Sequence, residues 1–270
     1  MNETLQNAPL VEIVAEIRWP VSQSDGAVVL PAGQNFSLPL VDLNKIEPFF
    51  RQVSAAVAKL GFDKPERLGM TDFPILPSNQ VVYRYRRADG KPVLMQVGPG
   101  IFTVNALPPY ESWAQFQPWL DKGVDALLEA LLENPGGLTI GLRYIDAFRQ
   151  NLTDGRNANR FATEVLGFRF DLPKSLRSHA ASDDVVRAAL QVGMPVDGMQ
   201  MGVSLSDGKF SDDKAVLMST DIRADAELPA EKAAIVSALN KAHELAHETF
   251  MGMTESIRDK LRPAASEGNG

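Results

Sequence analysis

A recurrence limits what this chain can fold into more than any other feature. Ile17-Arg18-Trp19 returns as Leu142-Arg143-Tyr144, and LPPYE at 107–111 returns as ELPAE at 227–231. The offsets are 125 and 120 residues, so the two echoes are nearly in register. Each time the second phrase precedes a long helical pattern. Self-similarity at one period predicts two copies of one supersecondary unit. Around the first echo, Val11, Ile13, Ala15, Ile17 and Trp19 alternate with Glu12, Val14, Glu16 and Arg18, the pattern of a half-buried strand. LTIGLRYIDAF at 138–148 is its counterpart. Two unrelated halves of the same class would give a similar pattern, so shared descent is an expectation and not a reading of identity.

The rest of the chain fills in the unit. Residues 41–61 read as a helix capped by Asn44 and stopped by Gly61. QVVYRYRRADGKPVLMQV at 80–97 reads as a hairpin whose Asp89-Gly90 suits a tight primed turn. Gly98-Pro99-Gly100 turns the chain into IFTVNAL, and 108–137 holds a long helix with proline before it and Gly136-Gly137 after. In the second half a short helix is expected over 154–167, strands near 187–193, 200–206 and 214–223, and a closing helix from Glu231 to Leu261. Residues 168–186 look least structured, and 263–270 read as a disordered tail. The expected fold is α+β: a mainly antiparallel sheet with helices on one face, built from two copies of a β-α-β(3–4)-α unit at 1–137 and 138–262.

Composition decides which chemistries remain. The net charge of −7 and pI near 5.1 argue against a nucleic-acid binder, which needs a surplus of phosphate-neutralising cations. The absence of cysteine excludes disulfides, thiolate zinc sites and cysteine nucleophiles. No run approaches the roughly 18 apolar residues of a membrane span, and MNETLQNAPL lacks the pattern of a secretory signal. A cytoplasmic protein is expected.

The sharpest motif is HELAH: His243, Glu244 and His247. Two histidines one helical turn apart with an adjacent glutamate are what a zinc hydrolase uses to bind metal and activate water. A catalytic zinc needs a third protein ligand. Phe250 and Met253 stand where the extended motif requires glycine and histidine. Glu255 lies about 12 Å along the helix from His247 at 1.5 Å per residue. The remaining histidine, His179, is in the loose RSHAASDD segment. A packing explanation competes. Leu239, His243, Ala246, Phe250, Ile257 and Leu261 share one stripe at 100° per residue. That makes His243 a core-facing residue with one hydrogen-bond partner, His247 a boundary residue, and Glu244 and Glu248 part of the solvated face.

Other constellations are less specific. Glu12, Glu16 and Arg18 share a strand face, with Arg143 in the second copy at the place of Arg18. Carboxylates four residues apart on a strand are about 13 Å apart, too far for a glycosidase pair. A binding surface centred on Glu16, Arg18, Arg143 and Asp146 is the functional reading, and a salt-bridged sheet face the structural one. Arg84 and Arg86 form a basic patch on the hairpin opposite Tyr83 and Tyr85; such charges also protect sheet edges. VGPGI and NPGGL match no phosphate loop and read as turns. Trp113, Phe116, Trp119 and Leu120 read as a core stripe.

APLVEIVAEIRW, VGPGIFTVNALPPYESWAQFQPWL, GLRYID and AHELAHETFMGMTESIRDKL span nearly the whole chain. Together they resemble a sporadically distributed bacterial family of uncharacterised proteins about 250–270 residues long. The resemblance supplies no catalytic residue. Patchy occurrence implies a horizontally moving gene, of a kind often tied to defence or toxin neutralisation. The leading expectation is therefore a non-catalytic interaction protein with a protein partner, a homodimer being left open. The alternatives are a zinc-dependent hydrolase using His243, Glu244 and His247, and a small-ligand binder with an apolar pocket under its long helices.

Overall fold

A computed structural model describes residues 5, 7–21, 40–68, 75–77, 79–131, 135–169, 173–179 and 189–262. The protein is an α+β fold around a mainly antiparallel sheet of nine strands. In chain order the elements are β1 (Leu10–Arg18), β2 (Leu40–Asp42), α1 (Leu43–Lys59), β3 (Lys64–Arg67), β4 (Ile75–Pro77), β5 (Tyr83–Arg86), β6 (Val93–Gly98), β7 (Ile101–Ala106), α2 (Trp113–Ala130) and β8 (Thr139–Arg149). There follow α3 (Gln150–Thr153), α4 (Ala158–Glu164), α5 (Lys174–Arg177), β9 (Leu190–Val196), β10 (Met199–Phe210), β11 (Asp213–Ala224), α6 (Lys232–Met253), a 3-10 turn (Glu255–Ile257) and α7 (Arg258–Leu261). The sheet order is β3-β5-β6-β7-β1-β8-β11-β10-β9, with β2 and β4 forming a separate pair. Read outward from β1 the order is β7, β6, β5; read outward from β8 it is β11, β10, β9.

The chain divides into two compact units. Unit 1 comprises Met1–Ile13, Arg143–Arg223 and Lys241–Gly270; unit 2 comprises Val14–Leu142 and Ala224–Asn240. Strands β1 and β8 contribute residues to both.

In unit 2 the register explains how the helices cover the sheet. Tyr85 stands opposite Met95, and Met95 opposite Val104, so the three share one face. Helix α1 meets this row through Ser54, whose hydroxyl lies 2.7 Å from that of Tyr85. Helix α2 meets it at Gly123, where an added Cβ would fall 2.5 Å from Val104 Cγ2. Both helices therefore pack on the same face. Ser112 caps α2 by accepting from the Gln115 amide at 3.4 Å. Trp113, Phe116, Leu120, Val124 and Leu127 then form its buried stripe. On the opposite face, the Gln96 amide orientation that suits its neighbours accepts from Arg84 Nε at 3.0 Å and donates to Thr103 Oγ1 at 3.3 Å. Thr103 in turn donates to Asn105 Oδ1 at 2.6 Å, which satisfies two buried polar residues of β7.

Unit 1 is built on Phe148 of β8. Its ring packs 4.8 Å from Phe161 of α4 and 6.3 Å from Phe250 of α6, so these helices also share one face. Val203, Leu205, Val216 and Met218 of the neighbouring strands complete this core.

Several expected boundaries shift. Helix α1 begins at Leu43, which puts Asn44 inside its first turn, while Gly61 follows its end with φ of 85°. The β5–β6 connection is longer than a tight primed turn, because Arg86 pairs with Leu94. A two-residue hairpin with both residues at positive φ lies at Asp197-Gly198, between paired Val196 and Met199. Strand β3 was not expected, since KPER reads as an exposed polar segment. The closing helix does not run unbroken to Leu261. It stops at Met253, where buried Thr254 turns its hydroxyl onto the Phe250 carbonyl at 2.7 Å. The expected tail and much of 168–186 lie outside the described residues.

Candidate functional site

The HELAH stretch lies on α6, all of it in unit 1. Ala242 and Ala246 are buried, His243 and His247 flank them half-buried, and Glu244 and Glu248 are exposed. This is the arrangement expected from the stripe. Tyr144 of β8 partners His243, its hydroxyl 2.6 Å from Nδ1. The His243 and His247 ring centroids are 5.8 Å apart. Burial, with His247 beside it, holds the His243 pKa down at about 4. The ring is thus neutral at neutral pH. Among the described residues, no three His, Cys, Asp or Glu side chains converge on a common metal position. His179 is exposed, just past α5. Glu255 and Asp259 lie in the 3-10 turn and in α7.

The residues of the expected binding surface fall into separate arrangements. Arg18 grips Glu16 on its own strand through two bonds, Nη2 to Oε2 at 2.9 Å and Nε to Oε1. Arg143 bonds Asp221 at 2.5 Å, and Ser219 donates to the other oxygen of Asp221 at 2.9 Å. Asp146 does not share a surface with Arg143. Residues three apart on a strand face opposite ways, and Asp146 is only 3% exposed. Its Oδ2 is buried and has no hydrogen-bond partner among the described residues, and burial pushes its pKa up to about 7. On the hairpin, Glu66 of β3 stands opposite Arg84, 3.5 Å from its Nη1 and 3.9 Å from Arg86 Nε. Glu66 therefore offsets part of the basic patch, while Lys64 and Arg67 of the same strand, which the sequence did not announce, add to its charge.

A different site lies in unit 2. A cavity of about 480 Å³ opens beside the first turns of α2, where β6 begins and β7 ends. Val93, Ala106, Leu107 and Phe116 form its apolar wall, and Lys91, Lys122, Tyr110 and Trp119 also line it. Trp119 is half-buried and not the core residue expected. Its ring packs on Phe62, with centroids 5.9 Å apart, and carries three cations. Arg87 Cζ, Lys122 Nζ and Lys91 Nζ lie 4.5, 4.7 and 5.4 Å from its centroid. Asp89 holds Arg87 with both oxygens at 2.8 and 2.6 Å, and that bond holds the Asp89 pKa down at about 2. Lys91 reaches the same carboxylate only at 3.8 Å. Burial raises the Tyr110 pKa, so its phenol stays protonated. No single segment carries this site. Its cations come from 87–91 and 122, and nothing in either segment names the other.

Compared with protein families, curated proteins and solved structures, the chain matches none. Among the described residues no helix is long and apolar enough to cross a membrane.

Proposed function

We propose that this chain is a non-catalytic binding protein and that the cavity beside α2 is where it takes a small ligand. The observation that carries this reading is the cavity itself: an apolar wall with Trp119 and two lysines, a few polar groups converging on apolar surface. The family resemblance supports a bacterial, cytoplasmic setting in defence or toxin neutralisation. A protein partner presenting a small apolar group to the cavity fits the same chemistry. The mirrored strand order about β1 and β8 supports duplication of one unit.

The test is a thermal-shift screen of small organic compounds against the wild type and Leu107→Trp, a substitution that fills the cavity from its half-buried wall. A ligand at 100 times its Kd stabilises the folded state by about 2.7 kcal/mol. The expected result is a set of compounds that raise the wild-type transition and leave the folded variant's unchanged. Equal shifts in both proteins, or none in the wild type across a broad screen, would remove this reading.

A further inference from the structure

The charge around Trp119 goes further and names a ligand class; this step rests on the cavity being a binding site. Three cations meet one indole, and the one carboxylate that also lines the cavity is outnumbered by its two lysines. Asp89 spends both oxygens on Arg87. Glu111 lines the cavity and accepts from the Gln115 side-chain amide, keeping its charge against those of Lys91 and Lys122. Lys122 makes no ion pair among the described residues. Lys91 has only its loose contact with Asp89. A neutral ligand entering here would leave the charge of the two ammonium groups unanswered. A cation would meet like charges, and the indole face that could attract it is already occupied. An anion answers both costs. Tyr110 lines the same space with no hydrogen bond from its hydroxyl among the described residues, and can donate one.

We infer that the cavity binds a small amphiphilic anion, its acidic head held by Lys91 and Lys122 at Trp119 and its apolar body against Val93, Leu107 and Phe116. Carboxylate, sulfonate and phosphate heads share this chemistry. The lysines are exposed, so the charge selects among ligands more than it strengthens binding.

The experiment uses three probes with one tail: octanoate, 1-octanol and octylamine, which is an ammonium at neutral pH. Each is titrated into the full chain while the Trp119 indole N–H is followed by NMR and assigned through Trp119→Phe. The same titrations are run on Lys122→Gln and on the Lys91→Gln, Lys122→Gln double variant, both at exposed positions. The expected order of affinity is octanoate, then octanol, then octylammonium. The double variant should weaken octanoate about tenfold, the sum of two partly exposed ion pairs, and leave octanol unchanged. Raising the salt should weaken octanoate alone. If octanoate and octanol bind equally and ignore the lysines, the anion inference is overturned while the cavity stands as a binding site. If none of the three moves the Trp119 signal, the cavity reading falls with it.

Discussion

Helices α2 and α6 follow echoed phrases, yet they meet the sheet in opposite ways. In unit 2, α2 comes so close that Gly123 has no room for a Cβ beside Val104, Met95 and Phe102. In unit 1, the part of α6 from Lys241 onward meets β8 through Tyr144 and His243, and buried Asp146 lies on the Tyr144 face of the strand. The recurrence itself shows the change. Trp19 of the first copy is 8% exposed and packs edge-on against Phe49, with centroids 5.6 Å apart. Its echo, Tyr144, is half-buried and hydrogen-bonds a histidine. One position thus serves an aromatic core in one copy and a polar contact in the other. Titratable groups under a helix make stability depend on pH; a close-packed glycine makes it depend on volume.

The largest expected effect comes from the buried polar groups. Asp146 has its pKa raised from 3.8 to about 7, so the folded state keeps a proton that the unfolded state has lost. Stability from this group is fully present below the unfolded value and is lost as pH rises to about 7. His243 has its pKa lowered from 6.5 to about 4, so stability falls as pH drops through that window. The two slopes oppose each other between pH 4 and 6.5 and flatten the wild-type profile. Asp146→Asn should stabilise the protein at pH 8 by about 4 kcal/mol and bring it close to the wild type at low pH. Its stability should then climb from pH 4 to 6.5, leaving the His243 slope exposed. Denaturant unfolding across pH checks this. An Asp146→Asn profile parallel to the wild type would mean that Asp146 ionises freely in the fold.

The close approach of α2 gives the next effect. Gly123→Ala should cost about 1–2 kcal/mol, because overpacking of about 1–3 kcal/mol exceeds the roughly 1 kcal/mol of helix propensity that alanine brings. A shift of the urea midpoint at unchanged slope is the readout. A stabilised Gly123→Ala protein would show that α2 can lift off β7 at little cost, and the contrast with α6 would weaken.

What the sequence disclosed follows the same division. Periodic features were readable: the alternation of β1, the stripe of α2, and His243 turned inward on α6 with Glu244 outward. Each depends only on spacing within one element. Long-range pairings were not. Tyr144 and His243 are 99 residues apart, and nothing in either segment names the other. Glu66 opposite Arg84 depends on β3, whose KPER has no apolar alternation because it forms a sheet edge with every residue exposed. The burial of Asp146 was half legible. Strand parity places it with Tyr144 and Phe148, away from Arg143, and grouping it with Arg143 ignored that alternation. The cavity was the least readable feature, since an empty volume is made by what several segments fail to fill.

The smallest effect is the sharpest control on the comparison. Gly252 lies in the last turn of α6, exposed, and an added Cβ there meets nothing within 4 Å. Alanine at this position loses no packing and restricts the unfolded chain, so Gly252→Ala should stabilise by about 0.5 kcal/mol. The nearby helix end keeps the gain below that of a mid-helix site. The same substitution therefore has opposite signs on the two helices, and an equilibrium unfolding comparison of both variants reads the pair. Were Gly252→Ala to destabilise as much as Gly123→Ala, the cost at Gly123 would not come from its approach to Val104. The difference between the helices would then have to be sought in Tyr144, His243 and Asp146 alone.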